Sequence, residues 1–305
     1  MGIIRDREFL RTHRRKRKEK SIPVYYEMKT SFVDYNGTGL PLHFLHANGY
    51  PPECYKPFLE LLQTEYHVFG MLLRPLWEGS KPQDIHNWHV FSEDLLRFLS
   101  DYRSEPVIGV GHSIGATVSL RAALRNPEKF RALVLIEPVL LPRGAMISWN
   151  LLRAIGLGER LHPSIRGALK RRRTFDDLDL VLNRYRSRSV FRYMSDENLR
   201  TYIEGIMRKT DGGYELVFSP EWESRIYYTG LRDFDIWRDL PKLEVPTLFI
   251  RAAETDTFWE GAANLINRKQ PKAQIETLEN STHLLPLERP KEVFDIMQPF
   301  LKEFI

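Results

Sequence analysis

Cysteine is almost missing from this chain. The single thiol, Cys54, cannot close an internal disulfide, so a disulfide-stapled secreted scaffold is excluded and a reducing compartment is allowed. No stretch approaches the roughly 20 uninterrupted apolar residues of a membrane-spanning helix, since the greasiest run, 132–142, is broken by Glu137. The sequence also lacks a cluster of His, Cys and Asp at ligand spacing, a dinucleotide-binding glycine pattern, and a phosphate loop ending in Gly-Lys-Ser/Thr. No metal and no cofactor are therefore expected. The first twenty residues have no apolar central region of the kind a secretory signal needs, and Asp6 stands where a myristoylation pattern needs Ser or Thr. The cytoplasm is the expected location.

What the chain does contain is an ordinary globular mixture: 305 residues, 42% hydrophobic and 28% charged. The net charge of +5 is unevenly placed. Residues 1–20 hold nine Lys/Arg against three Asp/Glu, which leaves −1 for residues 21–305. This reads as a solvated, disordered tail. No aromatic is interleaved in its basic cluster for base stacking, so nucleic-acid binding is not expected. Contact of the tail with an anionic surface is the lesser alternative. Residues 138–220 carry 15 Lys/Arg and nine Asp/Glu, so the rest of the body is acidic. Their arginines are expected to be solvated or paired with Asp176, Asp177 and Asp179, with steering of an anionic substrate as the sharper alternative.

Short apolar runs alternate with helical patterns, as in a mostly parallel sheet covered on both faces. Strands are expected within 24–35 (two) and at 41–46, 66–72, 106–110, 131–136, 246–251 and 273–278. The alternation fails between 138 and about 225, where helical patterns occur without a convincing strand. The expected organisation is a tail at 1–20, an α/β core made of 21–137 and 226–305, and a helical insertion at 138–225.

The sharpest motif is GHSIG at 111–115, between an expected strand and a helix. Glycines two residues to either side of a serine permit a tight strand-to-helix turn that exposes the Ser113 hydroxyl at the sheet's carboxyl edge. A serine hydroxyl needs a base, and the base needs an orienting group. His283, beyond the last expected strand, and Asp256, directly after the strand at 246–251, follow in the order Ser, Asp, His. Glu137, ending the strand at 131–136, is the alternative acid. His46 and His112 flank loop motifs and are expected to be structural. Tyr50 and Trp77 are candidates to line a pocket.

With HANGYP at 46–51, GHSIG at 111–115, AAETD at 252–256 and NSTHLLPLERP at 280–290, the chain resembles the α/β-hydrolase superfamily over residues 24–305. The resemblance implies an eight-stranded, mostly parallel sheet with a helical cap inserted after the sixth strand. It implies Ser113 as nucleophile, His283 as general base and then acid, and Asp256 as the residue holding the imidazole. It also implies an oxyanion hole from the backbone N–H groups of Asn48 and Ile114. Ala47 departs from the glycine usual in the oxyanion loop. A serine nucleophile points to acyl transfer on a small or medium carboxylic ester, without cofactor. Thioester, lactone and carbon–carbon bond cleavage use the same triad, and a lyase or a hydrolase-fold binding protein are more distant alternatives. The expected partner is a small acyl substrate. Oligomeric state and substrate identity leave no mark in the sequence.

Overall fold

The computed structural model describes residues 3–6 and 30–304. Apart from 3–6, the expected tail lies outside the described residues, as does 24–29 of the first expected strand region. The strands are β1 (Ile3–Asp6), β2 (Ser31–Asn36), β3 (Pro41–Leu45), β4 (His67–Met71), β5 (Val107–His112), β6 (Phe130–Ile136), β7 (Thr174–Phe175), β8 (Met207–Thr210), β9 (Gly213–Leu216), β10 (Thr247–Glu254) and β11 (Gln274–Thr282). Eight of them form one sheet in the order β1-β2-β4-β3-β5-β6-β10-β11. The pairs β1–β2 and β2–β4 are antiparallel and the remaining five parallel. Residues 3–6, read as tail, thus extend the sheet's edge.

The helices are α1 (Lys56–Gln63), α2 (His89–Tyr102), α3 (Ile114–Arg125), α4 (Arg143–Ala154), α5 (Gly158–Leu161), α6 (Pro163–Leu169), α7 (Leu178–Arg186), α8 (Asp196–Gly205), α9 (Pro220–Thr229), α10 (Phe234–Asp239), α11 (Glu260–Lys269), α12 (Leu285–Glu288) and α13 (Pro290–Lys302). Two cores lie on opposite faces of the large sheet, because successive strand residues point to opposite sides. On β6, Leu133 and Leu135 join Phe91, Leu95 and Val118 of α2 and α3, whereas Val134 and Ile136 join Phe58 of α1 and Val293 and Met297 of α13. Each such aliphatic side chain, fully buried, stabilises the fold by about 1.5–3 kcal/mol. Burial on both faces is what makes the central strands read as continuous apolar runs.

The excursion between β6 and β10 differs from expectation in two respects. It contains a three-stranded antiparallel sheet, β7-β9-β8, besides its helices. These strands are two to four residues long, too short to give a periodic signal. Its helix α9 also runs straight through the expected boundary at 225. The end of the excursion is tied to the core by Arg121 of α3, a fully buried guanidinium held by Asp233 and Asp235. Paired on two sides, that charge is tolerated inside the protein.

Candidate active site

Ser113 sits between β5 and α3 with φ 58° and ψ −120°. This left-handed corner requires the chain to pass very close to its neighbours. A Cβ at Gly111 would lie 2.6 Å from the Ala116 nitrogen, and one at Gly115 would lie 2.1 Å from the Leu45 carbonyl oxygen. Only glycine fits at either place, which explains the motif in steric terms. The Ser113 N–H donates to the Ile136 carbonyl at 2.9 Å, fixing the corner to β6.

His283 lies one residue beyond β11. Its Nε2 is 2.9 Å from Ser113 Oγ, and its Nδ1 is 3.2 Å from Glu137 Oε2 and 2.8 Å from Thr257 Oγ1. A carboxylate only accepts, so Nδ1 carries the proton and Nε2 presents its lone pair to the serine hydroxyl. The turn that carries the histidine is fastened by Glu288, which accepts from the Thr282 N–H at 2.8 Å and the Thr282 hydroxyl at 2.5 Å.

The acid on Nδ1 is therefore Glu137, and the expectation for Asp256 is corrected in this respect. Glu137 is fully buried with φ 49°, and its N–H donates to the Ile250 carbonyl at 2.8 Å. Its Oε1 accepts from the Ala252 N–H at 2.7 Å, and its Oε2 accepts from the hydroxyls of Thr255 at 2.5 Å and Thr257 at 3.0 Å. Asp256 stands between those two threonines. The segment is a bend closed on Thr255 Oγ1, which accepts from the Thr257 N–H at 3.2 Å and the Phe258 N–H at 3.0 Å, and Asp256 within it is exposed while the two flanking threonines face Glu137. The pairing of β10 with β11 also shifts register between Ala252 and Glu254, just before this loop. A bulge at a strand end re-aims the side chains that follow it.

Burial disfavours the charged form of His283, but the hydrogen bond and negative charge of Glu137 outweigh it, with Asp256 and Glu288 adding their fields. The imidazole is consequently held above its ordinary value.

Above Ser113 and His283 lies a cavity of about 170 Å³ whose lining also includes Asn48, Ile114, Tyr50 and Asp256. Asn48 and Ile114 thus meet beside Ser113. Ile114 opens α3, so its N–H has no acceptor within the helix. Trp77, in contrast, is buried away from the cavity with its indole N–H on the Leu72 carbonyl at 2.6 Å. It packs its own loop, and Trp88 lines the cavity in its place. Apolar wall comes from Val139, Leu141, Ile226 and Leu231. Among the described residues no Lys or Arg lines the cavity; Asp256, which has no ion-pair partner among them, contributes the fixed charge.

Both expected structural histidines are buried and hydrogen-bonded. His46 accepts the Leu73 N–H through Nε2 at 3.1 Å, and desolvation pulls its imidazole down to about 4. His112 makes a link that sequence reasoning missed. Its Nε2 donates to the His283 carbonyl at 2.8 Å, and its Nδ1 accepts from the Tyr55 hydroxyl at 2.7 Å. Tyr55 Oη in turn accepts from the Ala47 N–H at 3.2 Å. The loop bearing Asn48 and the loop bearing His283 are thereby held to one another through neutral, buried rings. Thr255, Thr257 and Tyr55 had no recognisable signal, because each depends on contacts across more than fifty residues of sequence or on loop register.

The model of a family described as the Alpha/beta hydrolase family matches residues 44–296. The uncharacterized hydrolase YugF of Bacillus subtilis (strain 168) is 22% identical over 259 residues, which cover 81% of this chain and 85% of that protein. The type I acyl-CoA thioesterase mpaH' of Penicillium brevicompactum is 27% identical over 111 residues, 31% of this chain and 25% of the fungal protein, so the match spans about a quarter of that relative's length. Among solved structures, E-2-(acetamidomethylene)succinate hydrolase superposes with a TM-score of 0.73 at 17% identity, covering 90% of this chain and 96% of that one.

Proposed function

Because the chain belongs to the α/β-hydrolase family, we propose that it is a serine hydrolase cleaving an uncharged carboxylic ester through an acyl-Ser113 intermediate, with a Ser113–His283–Glu137 triad. The observation that carries this reading is the unbroken line of hydrogen bonds from Ser113 Oγ through both ring nitrogens of His283 to a buried carboxylate, at the floor of a cavity.

In the first step Ser113 Oγ bonds to the ester carbonyl carbon while its proton passes to His283 Nε2. The N–H groups of Asn48 and Ile114 accommodate the oxyanion, a contribution of about 3 kcal/mol for each well-aimed donor. Collapse breaks the carbon–oxygen bond, and His283 gives its proton to the departing alkoxide. His283 then removes a proton from water as it attacks the acyl-enzyme, releasing the acid and restoring the serine. Glu137 holds the ring in the required tautomer and offsets the imidazolium charge at each transfer.

The excursion over residues 138 to about 229 serves in this reading as a cap, since His162, Ser164, Ile226 and Tyr227 of that segment line the same cavity as the triad. An uncharged substrate fits a lining without Lys or Arg and with the Asp256 carboxylate. The buried Asn48 Oδ1 and His162 Nδ1 have no hydrogen-bond partner among the described residues, which suits a substrate carrying a hydroxyl group. The cap's net positive charge does not reach the cavity lining, so anionic steering is not part of the proposal.

The test is covalent labelling with a fluorophosphonate, followed by mapping of the modified residue. Labelling at Ser113, lost in Ser113→Ala together with hydrolysis of p-nitrophenyl esters, is the expected result. Undiminished turnover by Ser113→Ala would overturn the assignment.

A further inference from the structure

Helix α4 is built the wrong way round for a helix that ends at water. Its inward face, Met146, Trp149, Asn150 and Arg153, follows the i, i+3, i+4, i+7 spacing of one helical side and includes two polar residues. Both are satisfied by backbone: Asn150 Nδ2 donates to the Leu231 carbonyl at 2.9 Å, and Arg153 Nη1 donates to the Tyr228 carbonyl at 3.3 Å. The outward face carries Ile147, Leu151 and Ile155, four residues apart, which are 59%, 62% and 60% exposed. Leu161 of α5 and Leu169 of α6 are exposed as well. Five of the nine exposed large apolar side chains among the described residues therefore fall between 147 and 169. Aliphatic side chains scattered singly need no explanation, but a regular stripe does.

The charges around it point to what covers it. Arg143, Arg160, Arg166 and Lys170 are all exposed, and none has a carboxylate or carbonyl partner among the described residues. The other half of the excursion is different: Arg172, Arg173, Arg186, Arg192, Arg200 and Arg208 are each paired with an Asp or Glu. The expected pairing with Asp176 and Asp179 thus occurs there, at 3.1 and 2.8 Å, while Asp177 instead caps α7. Arg184, Arg188 and Lys209 in that half are exposed without an ion pair, so three of its ten cations are unpaired, against four of the five between 143 and 170 on the segment that bears the apolar stripe. A second copy of the chain is disfavoured as the partner, since a twofold contact sets the same patch against itself and would bring these cations together.

We propose that the outer face of α4, with α5 and α6, is a docking surface for an anionic lipid bilayer, the aliphatic side chains entering the acyl boundary while the four cations meet the headgroups. The combination of an apolar stripe with flanking Lys/Arg is what an interfacial helix requires. No helix of the described residues is long and apolar enough to cross a membrane, so the contact is one of lying on the surface. Leu141, just before α4, His162, between α5 and α6, and Ser164, in the first turn of α6, line the cavity, so docking would bring the cavity close to the lipid.

The test is co-sedimentation of the full chain with vesicles of phosphatidylcholine alone and of phosphatidylcholine mixed with phosphatidylglycerol. Wild type is expected to partition to the mixed vesicles at least tenfold better than to the neutral ones, and less so as salt is raised. The double variant Ile147→Asp/Leu151→Asp should lose at least tenfold in partitioning, and Arg160→Glu/Arg166→Glu should abolish the preference for phosphatidylglycerol. Both pairs are exposed, and unchanged circular dichroism and unchanged hydrolysis of a soluble ester would certify folding. Absence of wild-type binding overturns the proposal. So does binding that survives in the double variant, which would assign the lipid contact to another segment such as residues 1–20. A wild-type dimer in light scattering that the double variant dissociates would assign the face to a second copy and overturn it equally.

Discussion

The loops that follow β6 and β10 leave the same edge of the sheet on neighbouring strands, and each offers a carboxylate to the same histidine. Glu137 is sealed from solvent and receives a backbone N–H, two hydroxyls and the imidazole. Asp256 is exposed, and its side chain is engaged by none of these groups. What separates the proposed orienting acid from its neighbour is thus not proximity in sequence or distance from Ser113 but the set of donors that fixes the carboxylate and the exclusion of water around it. A desolvated, hydrogen-bonded charge acts at low local dielectric, whereas an exposed one is screened.

The largest break in this contrast should come from Glu137→Gln. Loss of the orienting charge from a serine triad costs about 10⁴-fold in kcat, and a steady-state assay with a p-nitrophenyl ester would measure it. Full activity in this variant would return the role to Asp256. Because Glu137 raises the imidazole, the acidic limb of the kcat/KM profile, which wild type should show above pH 6.5, should move to lower pH in whatever activity survives. The sign follows from the requirement that His283 be neutral to accept the serine proton.

Thr257→Val should have an intermediate effect. It removes one donor to Glu137 and one acceptor for Nδ1 while keeping the shape of the side chain, and a loss of about tenfold in kcat corresponds to roughly 1.4 kcal/mol of transition-state stabilisation. An unchanged kcat would show that the carboxylate is held well enough by Ala252 and Thr255 alone. Asp256→Asn should have the smallest effect, within about threefold for neutral esters, since an exposed charge contributes through a screened field. It should also improve turnover of an anionic ester such as mono-p-nitrophenyl succinate relative to p-nitrophenyl butyrate. A collapse of activity in Asp256→Asn with neutral substrates would reverse the comparison.

The positions of the central strands and the sharp turn at Ser113 were legible in the sequence because they rest on local rules: continuous apolar runs for buried strands, and glycines where the chain approaches itself within 3 Å. Ser113, His283, Asn48 and Ile114 were singled out from local motifs, and the structure brings them to one cavity. The choice between Glu137 and Asp256 was not legible. It turns on the bend at Thr255, Asp256 and Thr257 and on a register shift just before it, and no pattern in one sequence fixes either. Trp77 and Trp88 illustrate the same limit, since both lie on the connection from β4 to α2 and only tertiary packing decides which one faces the cavity. The strands β7 to β9 escaped notice because pieces of two to four residues carry too few side chains to show alternation.

Ser113 and Glu137, at the ends of adjoining strands, both take up left-handed backbone angles that a side chain makes unfavourable, each at a cost of about 1–2 kcal/mol. The molecule accordingly keeps the proposed nucleophile and the proposed orienting acid at corners where an unsubstituted residue would sit more comfortably. Natural drift toward greater rigidity and retention of chemistry pull against each other at those two points, and the closely packed strands beneath them supply the surplus that lets chemistry prevail.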